Sequence, residues 1–374
     1  MKKLVLASAV SALFAAPATV LAQAKPAPAP TLDKVLEASG ISVSGYIDAG
    51  YTYLDKSAGF NTRVFDGQSN SFALNQFGLT VAKQPKEGFG GLVNLTVGRD
   101  AQIIHSFPEG AGLAATQTSM FDVTQAFAQY AGGPLTEIAG KFTTLHGTEV
   151  IASTGNMNIS RSILFGSVPF THTGVRATWA LSDTVSLIAG VNNGWDQLTD
   201  ANKGKTLELG ATLNPIKPLN ITVSGYSGKE VVTPGGVPAT EGTRTSINAV
   251  ASYTIIDPLS VGLEVLNVSQ DNTVGGNAQG KYSGVAGYVS YMITPKFRVA
   301  GRIESFDDKD GIRFGAAKNK YREGTVTGAF LASDSFEARV EARRDQANNA
   351  VFTDSTGATS KSQTGLAVQG IYKF

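Results

Sequence analysis

Two histidines, His146 and His172, flank one long segment of this chain, with Ser160 and Ser162 lying between them. A hydrolase built on such a set would need the hydroxyl, the imidazole and a polar orienting group within mutual hydrogen-bond reach. Nothing in the spacing fixes that arrangement, so both imidazoles read as loop anchors. His105, the third histidine, has no motif beside it. Asp196, Asp200, Asp307, Asp308 and Asp310 fall in polar stretches, but the ligand spacing of a dedicated calcium loop is absent. The run Asp307-Asp308-Lys309-Asp310-Gly311 reads instead as a solvated turn. With no cysteine there is neither a disulfide scaffold nor a thiolate metal site. The expectation is no catalytic residue, no metal and no cofactor.

The remaining chemistry is that of a polar, charged lining. Arg298 and Arg302 lie four apart, and Arg339 and Arg343 repeat the spacing. On a strand, whose side chains alternate between faces, each pair shares one face. A basic ladder facing Glu149 or Asp48 across a water-filled space would create a transverse field, and rings of charge set ion preference in channels. Along Glu337, Arg339, Glu341 and Arg343 the signs alternate, so neutralisation is expected there. Arg298 and Arg302 are the better candidates for contact with a solute. The longest connection, 146–170, carries Glu149, Asn156, Asn158, Ser160, Arg161 and Ser162, polar groups suited to lining a wet constriction. Its Ile159, Ile163, Leu164, Phe165 and Phe170 are suited to pinning it to a wall.

The elements that would position these groups are strands. They are expected at about 41–54, 73–83, 89–99, 121–131, 136–145, 171–181, 185–193, 205–213, 219–227, 244–255, 259–269, 282–293, 297–305, 323–332, 336–345 and 362–374. Connections after even-numbered strands are tight turns, such as Gly132-Gly133-Pro134, Asn214-Pro215 and Asp257-Pro258, and those after odd-numbered strands are long and polar. Apolar and polar residues alternate within strands. Phe336, Ala338, Val340 and Ala342 oppose Glu337, Arg339, Glu341 and Arg343, and Phe297, Val299, Gly301 and Ile303 oppose Arg298, Ala300, Arg302 and Glu304. In the first strand Ile47, Tyr51 and Tyr53 oppose Tyr46, Asp48 and Thr52. The fold class read from this is all-β: a transmembrane antiparallel β-barrel of about sixteen strands, with short turns at one rim and long loops at the other. Its C-terminal strand, 362–374, closes against the first, which removes the exposed edge that a soluble sheet would have to protect.

The aromatics support the membrane reading. Phe89, Trp179, Tyr253, Tyr291, Phe297, Phe336 and Tyr372 all fall on the apolar face beside a short turn, like the girdle at a membrane interface. Phe374, on the same face at the end of the closing strand, is expected to complete the signal by which the barrel assembly machinery recognises such proteins.

Composition agrees. Met1-Lys2-Lys3, the apolar run Leu4 to Leu21 and Ala22-Gln23-Ala24 make residues 1–24 a secretory signal peptide, with cleavage after Ala22 or Ala24. Residues 25–40 follow as an Ala/Pro-rich periplasmic linker with room for a short helix, and 41–374 form the barrel. The whole chain carries 31 basic and 30 acidic residues, a balance that argues against nucleic acid as a partner. No later apolar run approaches the ~20 residues of a membrane-spanning helix. A mean hydropathy near zero suits a barrel whose strands turn half their residues to a wet lumen.

Five segments carry a resemblance: Gly140-Lys141-Phe142, Gly147-Thr148-Glu149, Asn158-Ile159-Ser160-Arg161-Ser162, Pro169-Phe170-Thr171-His172-Thr173-Gly174 and Asn193-Gly194-Trp195-Asp196. Together they resemble the OmpL-like family of outer-membrane β-barrel porins. The resemblance implies a channel in the bacterial outer membrane and says little about what passes through it. The combined expectation is a passive diffusion channel for small hydrophilic solutes or ions, narrowed by the loop 146–170 and mildly basic there. The alternative is a non-conducting surface barrel, an adhesin or structural anchor. Partners are outer-membrane lipids, the assembly machinery and the solutes. Porins of this kind are often homotrimers, although no residue pattern here spells an interface.

Overall fold

In a computed structural model of the chain the described residues are 31–106, 119–232, 240–274, 278–314 and 317–374. The expected signal peptide and the first residues of the linker lie outside them. The chain divides into two units, 1–39 and 40–374. In the first, a short helix α1 (Leu32–Ser39) carries Asp33 in its first turn, where a carboxylate favours the helix dipole, and the Ser39 hydroxyl donates to the Leu36 carbonyl at 2.8 Å.

The second unit is the sheet. Its elements in chain order are β1 (Ser42–Leu54), β2 (Ser71–Lys83), β3 (Gly88–Val97), α2 (Ala101–Ile104), β4 (Phe121–Gly132), β5 (Leu135–Thr143), β6 (Thr171–Ser182), β7 (Val185–Asn192), β8 (Thr206–Ile216) and β9 (Leu219–Val232). There follow β10 (Thr240–Ile256), β11 (Leu259–Val274), β12 (Ala278–Thr294), β13 (Phe297–Asp308), β14 (Asn319–Ser333), β15 (Phe336–Ala347), β16 (Phe352–Thr353), β17 (Thr359–Ser360) and β18 (Ser362–Lys373). Sixteen of the strands form one closed antiparallel barrel, with β18 between β15 and β1. The closing register runs from Tyr46 opposite Lys373 to Leu54 opposite Gly365. Phe374 extends it, exchanging both backbone hydrogen bonds with Gly45 at 2.9 Å. A Cβ on Gly45 would strike the Phe374 ring, so the residue opposite this aromatic has to be small.

Burial is inverted relative to a soluble sheet. On the outer face Leu209, Ile303 and Val326 are 66, 71 and 60 % exposed, while their inward neighbours Glu208, Arg302 and Thr325 are buried. An apolar outside and a polar inside is the arrangement that hydrocarbon surroundings demand. The inward faces of β13 and β15 are the sets expected from the alternation. The core sits inside the ring: Leu266, Val268, Tyr282, Ala286, Phe306 and Tyr321 on the inner wall surround Ile163, Leu164 and Val168 of the long loop.

Two features depart from the expectation. The turn between β8 and β9 lies at Lys217-Pro218, beyond Asn214-Pro215, and β8 runs on to Ile216. The register shifts between Leu213 and Ile216, and that irregularity accommodates Pro215, which has no amide to give to a ladder. The segment between β15 and β18 is not simple loop. It holds the two-residue strands β16 and β17, and Thr353 bridges to Ala58.

Candidate functional site

The segment between β5 and β6 turns into the barrel at Gly147, whose φ of 96° is a left-handed conformation that favours glycine. Its path is fixed by what it touches. His146 contacts Ser224 and Ser246 on β9 and β10, and Thr148 donates its amide to Glu264 on β11 at 2.9 Å. Ser153 reaches Asp48 on β1 and, through its amide, Gln76 on β2. Asn158 then meets Thr327 on β14, and Ile163 meets Glu304 on β13. A segment in contact with strands on opposite sides of a closed ring has to lie in its lumen.

This stretch has almost no secondary structure to satisfy its own backbone, and buried amides and carbonyls need partners. The wall provides them in a division of labour. Carboxylates take the amides: Glu304 accepts from Ile163 and Leu164, both at 2.7 Å, and Glu341 accepts from Ile159 and Ser160 at 2.6 and 3.0 Å. Guanidiniums give to the carbonyls: Arg302 to Ser160 at 2.8 Å, Arg343 to Arg161 at 2.5 Å and Arg339 to Ser153 at 3.3 Å. Within the loop, Glu149 accepts the Ser162 amide at 2.7 Å, and Arg161 donates to the carbonyls of Val150, Ile151 and Ile159. Charge-assisted bonds of this kind are the stronger ones.

The polar loop residues expected to line water do not. Asn156, Asn158, Ser160, Arg161 and Ser162 are all 5 % exposed or less, because they serve backbone groups of the loop and side chains of the wall. What faces open space is Val150 and Met157, 45 and 48 % exposed, with Thr154 and Gly155 between them. On β4 to β8 the inward side chains Gln125, Phe127, Ile138, Thr178, Ile188 and Thr212 also remain partly exposed.

The expected basic ladder is compensated. Arg302 is fully buried between Glu149 and Glu323, each at 2.6 Å, so it meets Glu149 directly and not across a pore. Arg343 pairs with Asp345 at 2.6 Å, Arg339 with Glu337 at 2.8 Å, and Arg298 also with Glu337. Asp48 accepts from Ser153, Asn75 and Gln369. On β4 to β8 the charge pairs among the described residues include Lys141 with Asp122 and Arg176 with Glu208, and Arg176 lies over the Phe142 ring at 4.2 Å. Two expectations are thereby corrected. Arg302 is out of reach of solutes, and the surroundings of the loop are not basic: Arg302, Arg339 and Arg343 are each paired with a carboxylate, while Glu264, Glu304 and Glu341 take loop amides. Along β15 Arg339 pairs with Glu337 and Arg343 with Asp345, while Glu341 takes loop amides, so the alternating charges clamp the loop as well as one another.

The imidazoles are anchors. His146 lies between two serine hydroxyls and against the Tyr226 ring, at 4.6 Å, and burial pushes its pKa down to about 3, so it stays a weakly basic neutral ring. His172 stacks on the same tyrosine at 4.4 Å. Neither touches Ser160 or Ser162. His105 pairs with Asp122 at 2.8 Å. Asp196 accepts the amides of Phe170 and Thr171, and Asp308 those of Arg313 and Phe314.

On the outer face Phe89, Trp179, Tyr253, Tyr291, Phe297, Phe336 and Tyr372 are all exposed beside short turns, and Tyr130 and Phe330 stand 4.9 Å from Phe89 and Phe297. Phe374 is 55 % exposed and stacks near Phe77.

Solved structures of the same fold include the outer membrane channel DcaP of Acinetobacter baumannii, with 15% identity and a TM-score of 0.61, covering 89% of this chain and 97% of that one. OprB of Pseudomonas putida has 11% identity and a TM-score of 0.63, covering 91% and 96%. The trimer form of OmpT of Vibrio cholerae has 11% identity and a TM-score of 0.59, covering 89% and 99%. No curated protein matches the sequence. The family model described as "Putative beta-barrel porin-2, OmpL-like" matches residues 40–374. With that match and its closed sixteen-stranded barrel, the chain belongs to the OmpL-like β-barrel porins of the bacterial outer membrane.

Proposed function

We propose that the loop between β5 and β6 is the constriction of a passive diffusion channel for small hydrophilic solutes. The aperture lies between Val150, Thr154 and Met157 on the loop and the wall that the loop leaves open. The observation that carries this reading is the tethering of the loop, by backbone amides to β11, β13 and β15 and by the side chains of Asn158 and Ser153 to β14 and β1, which holds it inside the ring. Selection is chiefly by size, because the charged groups around the loop are buried and engaged with the loop or with one another. Deleting 154–157, which removes exposed residues and the tie of Asn156 to Val150, should raise single-channel conductance in planar bilayers and admit larger sugars in liposome swelling. An assembled deletion variant with unchanged conductance and size limit would refute it.

The same reading takes residues 1–24 as a signal peptide and 25–40 as a periplasmic linker, as the A-x-A site and the Ala/Pro composition support. It assigns the turn-side aromatics to the periplasmic girdle. Phe374 is the residue the assembly machinery reads, and three copies form the working unit, as in the trimer form of OmpT.

A second reading, a non-conducting barrel, draws on the apolar cluster where Phe60, Phe314 and Phe352 pack with Phe306 and Tyr321 near the loop rim. Absence of any single-channel current from the folded protein would decide for it.

A further inference from the structure

Among the described residues the outer wall carries a concentration of positive charge, only one member of which has a carboxylate partner. Arg322 on β14 stands opposite Gln346 on β15, which stands opposite Ser362 on β18. One row nearer the turns, Arg344 stands opposite Thr364. The alternate row, Glu323, Asp345 and Gln363, is buried in the lumen, so Arg322, Arg344, Gln346 and Ser362 point outward. With Lys320 and Lys361 they line a cleft of about 220 Å³. Among the described residues no carboxylate lines it. Asp307 holds Lys320 from the rim at 3.2 Å, and Arg344 reaches only the hydroxyls of Ser362 and Thr364, at 3.3 and 3.5 Å.

Its height matters more than its charge. Directly toward the turns the same strands expose Val326, Val340 and Leu366, by 60, 59 and 53 %. From Phe336 at the turn rim to Arg344 is roughly 26 Å along the strand, or about 20 Å in height at a tilt of about 40°. That spans most of an apolar band of about 25 Å, so the cleft opens where the acyl chains of the outer leaflet give way to headgroups.

We infer that this cleft binds the phosphorylated sugar headgroup of an outer-leaflet glycolipid, with the acyl chains lying on Val326, Val340 and Leu366. Two arginines can grip phosphate oxygens bidentately, the lysines add point charge, and Gln346 and Ser362 suit sugar hydroxyls. A soluble anion would gain only the headgroup contacts and would not need the cleft at membrane height.

The test uses the folded protein in neutral detergent. It is titrated with a diphosphorylated hexa-acyl glucosamine disaccharide, with the same lipid after dephosphorylation, and with inorganic pyrophosphate, and adducts are read by native mass spectrometry. The wild type should retain one phosphorylated lipid per barrel, and R322E/R344E should weaken it by about twentyfold or more. R322Q/R344Q should lie between them and carries the test if the reversal variant fails to fold. Equal retention by wild type and both variants would overturn the assignment. So would equal binding of the dephosphorylated lipid, which would leave acyl packing alone, or pyrophosphate binding without a lipid adduct, which would make this a soluble-anion site. Conductance of the same samples reports on the channel separately.

Discussion

Removing the wall carboxylates that hold the loop amides should free the loop before it unfolds the barrel. Glu304 and Glu341 each accept two backbone amides, at 2.6 to 3.0 Å, and Glu341 also accepts the Thr327 hydroxyl. Hydrogen bonds to a charged group contribute about 1.5–3 kcal/mol each, so each glutamate holds its stretch of loop by about 3–6 kcal/mol. Glutamine keeps one acceptor oxygen at neutral strength, and the single exchange E341Q should therefore cost about 2–4 kcal/mol. With Glu304, Glu264 and three arginines still attached, the loop stays docked and conductance stays close to wild type. E304Q/E341Q loses about 4–8 kcal/mol, which lowers the docking ratio by about a thousandfold or more. Ile163 and Leu164 then lose the tie that seats them in the inner cluster. The assay is single-channel recording in planar bilayers, with heat-modifiable migration on gels to show that the barrel is intact. Steady wild-type openings should give way in the double variant to flickering toward a larger conductance. If the folded double variant conducts steadily at the wild-type level, these ties do not set the aperture.

Three further outcomes follow from the same geometry. R302E would leave Glu149, Glu323 and Glu304 around a fourth carboxylate, so it should lower the thermal midpoint of the gel shift and disorder the loop; a clean change in reversal potential at unaltered stability would contradict this. Burial and the nearby Asp48 push the Asp100 carboxyl up to about 8, and a raised carboxylate pKa gives stability that is complete below the unfolded value near 4 and is lost as pH rises through about 8. The gel-shift midpoint should therefore fall toward alkaline pH, and D100N should flatten that fall; parallel pH profiles would exclude Asp100 as the cause. Val340→Arg on the lipid face should cost about 2–4 kcal/mol in urea refolding titrations into vesicles, whereas Thr212→Lys, inward on the open arc and partly exposed, should cost less. Equal costs would mean that the faces are misassigned.

The barrel was legible because strand periodicity is a local property. Alternation along 336–345 and 297–305 assigns each side chain to a face without knowledge of any partner, and the lengths of the connections tell one rim from the other. The interior of the loop was not legible, for a corresponding reason. Asn156, Asn158 and Ser162 have the composition of a wet surface, but composition does not say that a segment without secondary structure must spend its polar groups on backbone. The exposed pair, Val150 and Met157, carries no sequence signal at all. The clamping glutamates had a usable one: inward carboxylates gather on β13, β14 and β15, more than a water-lined wall needs, and an irregular segment entering a barrel must find acceptors for its amides.

That the loop is gripped mainly by its backbone has a consequence for specificity. Glu304, Glu341, Arg302 and Arg343 recognise amides and carbonyls, which every residue type except proline presents alike, so the grip constrains the path of the loop far more than its sequence. The side chains at 150, 154 and 157 contribute little to that grip and face the open lumen. A barrel built this way can change its aperture at those positions while the ties and the buried Ile163 and Leu164 stay as they are. The charge pairs beneath the loop read more naturally as its mounting than as the filter itself. On the proposed reading, discrimination among solutes rests on the size and polarity of a few exposed side chains at the apex, set against Phe127, Ile138 and Ile188 on the open arc.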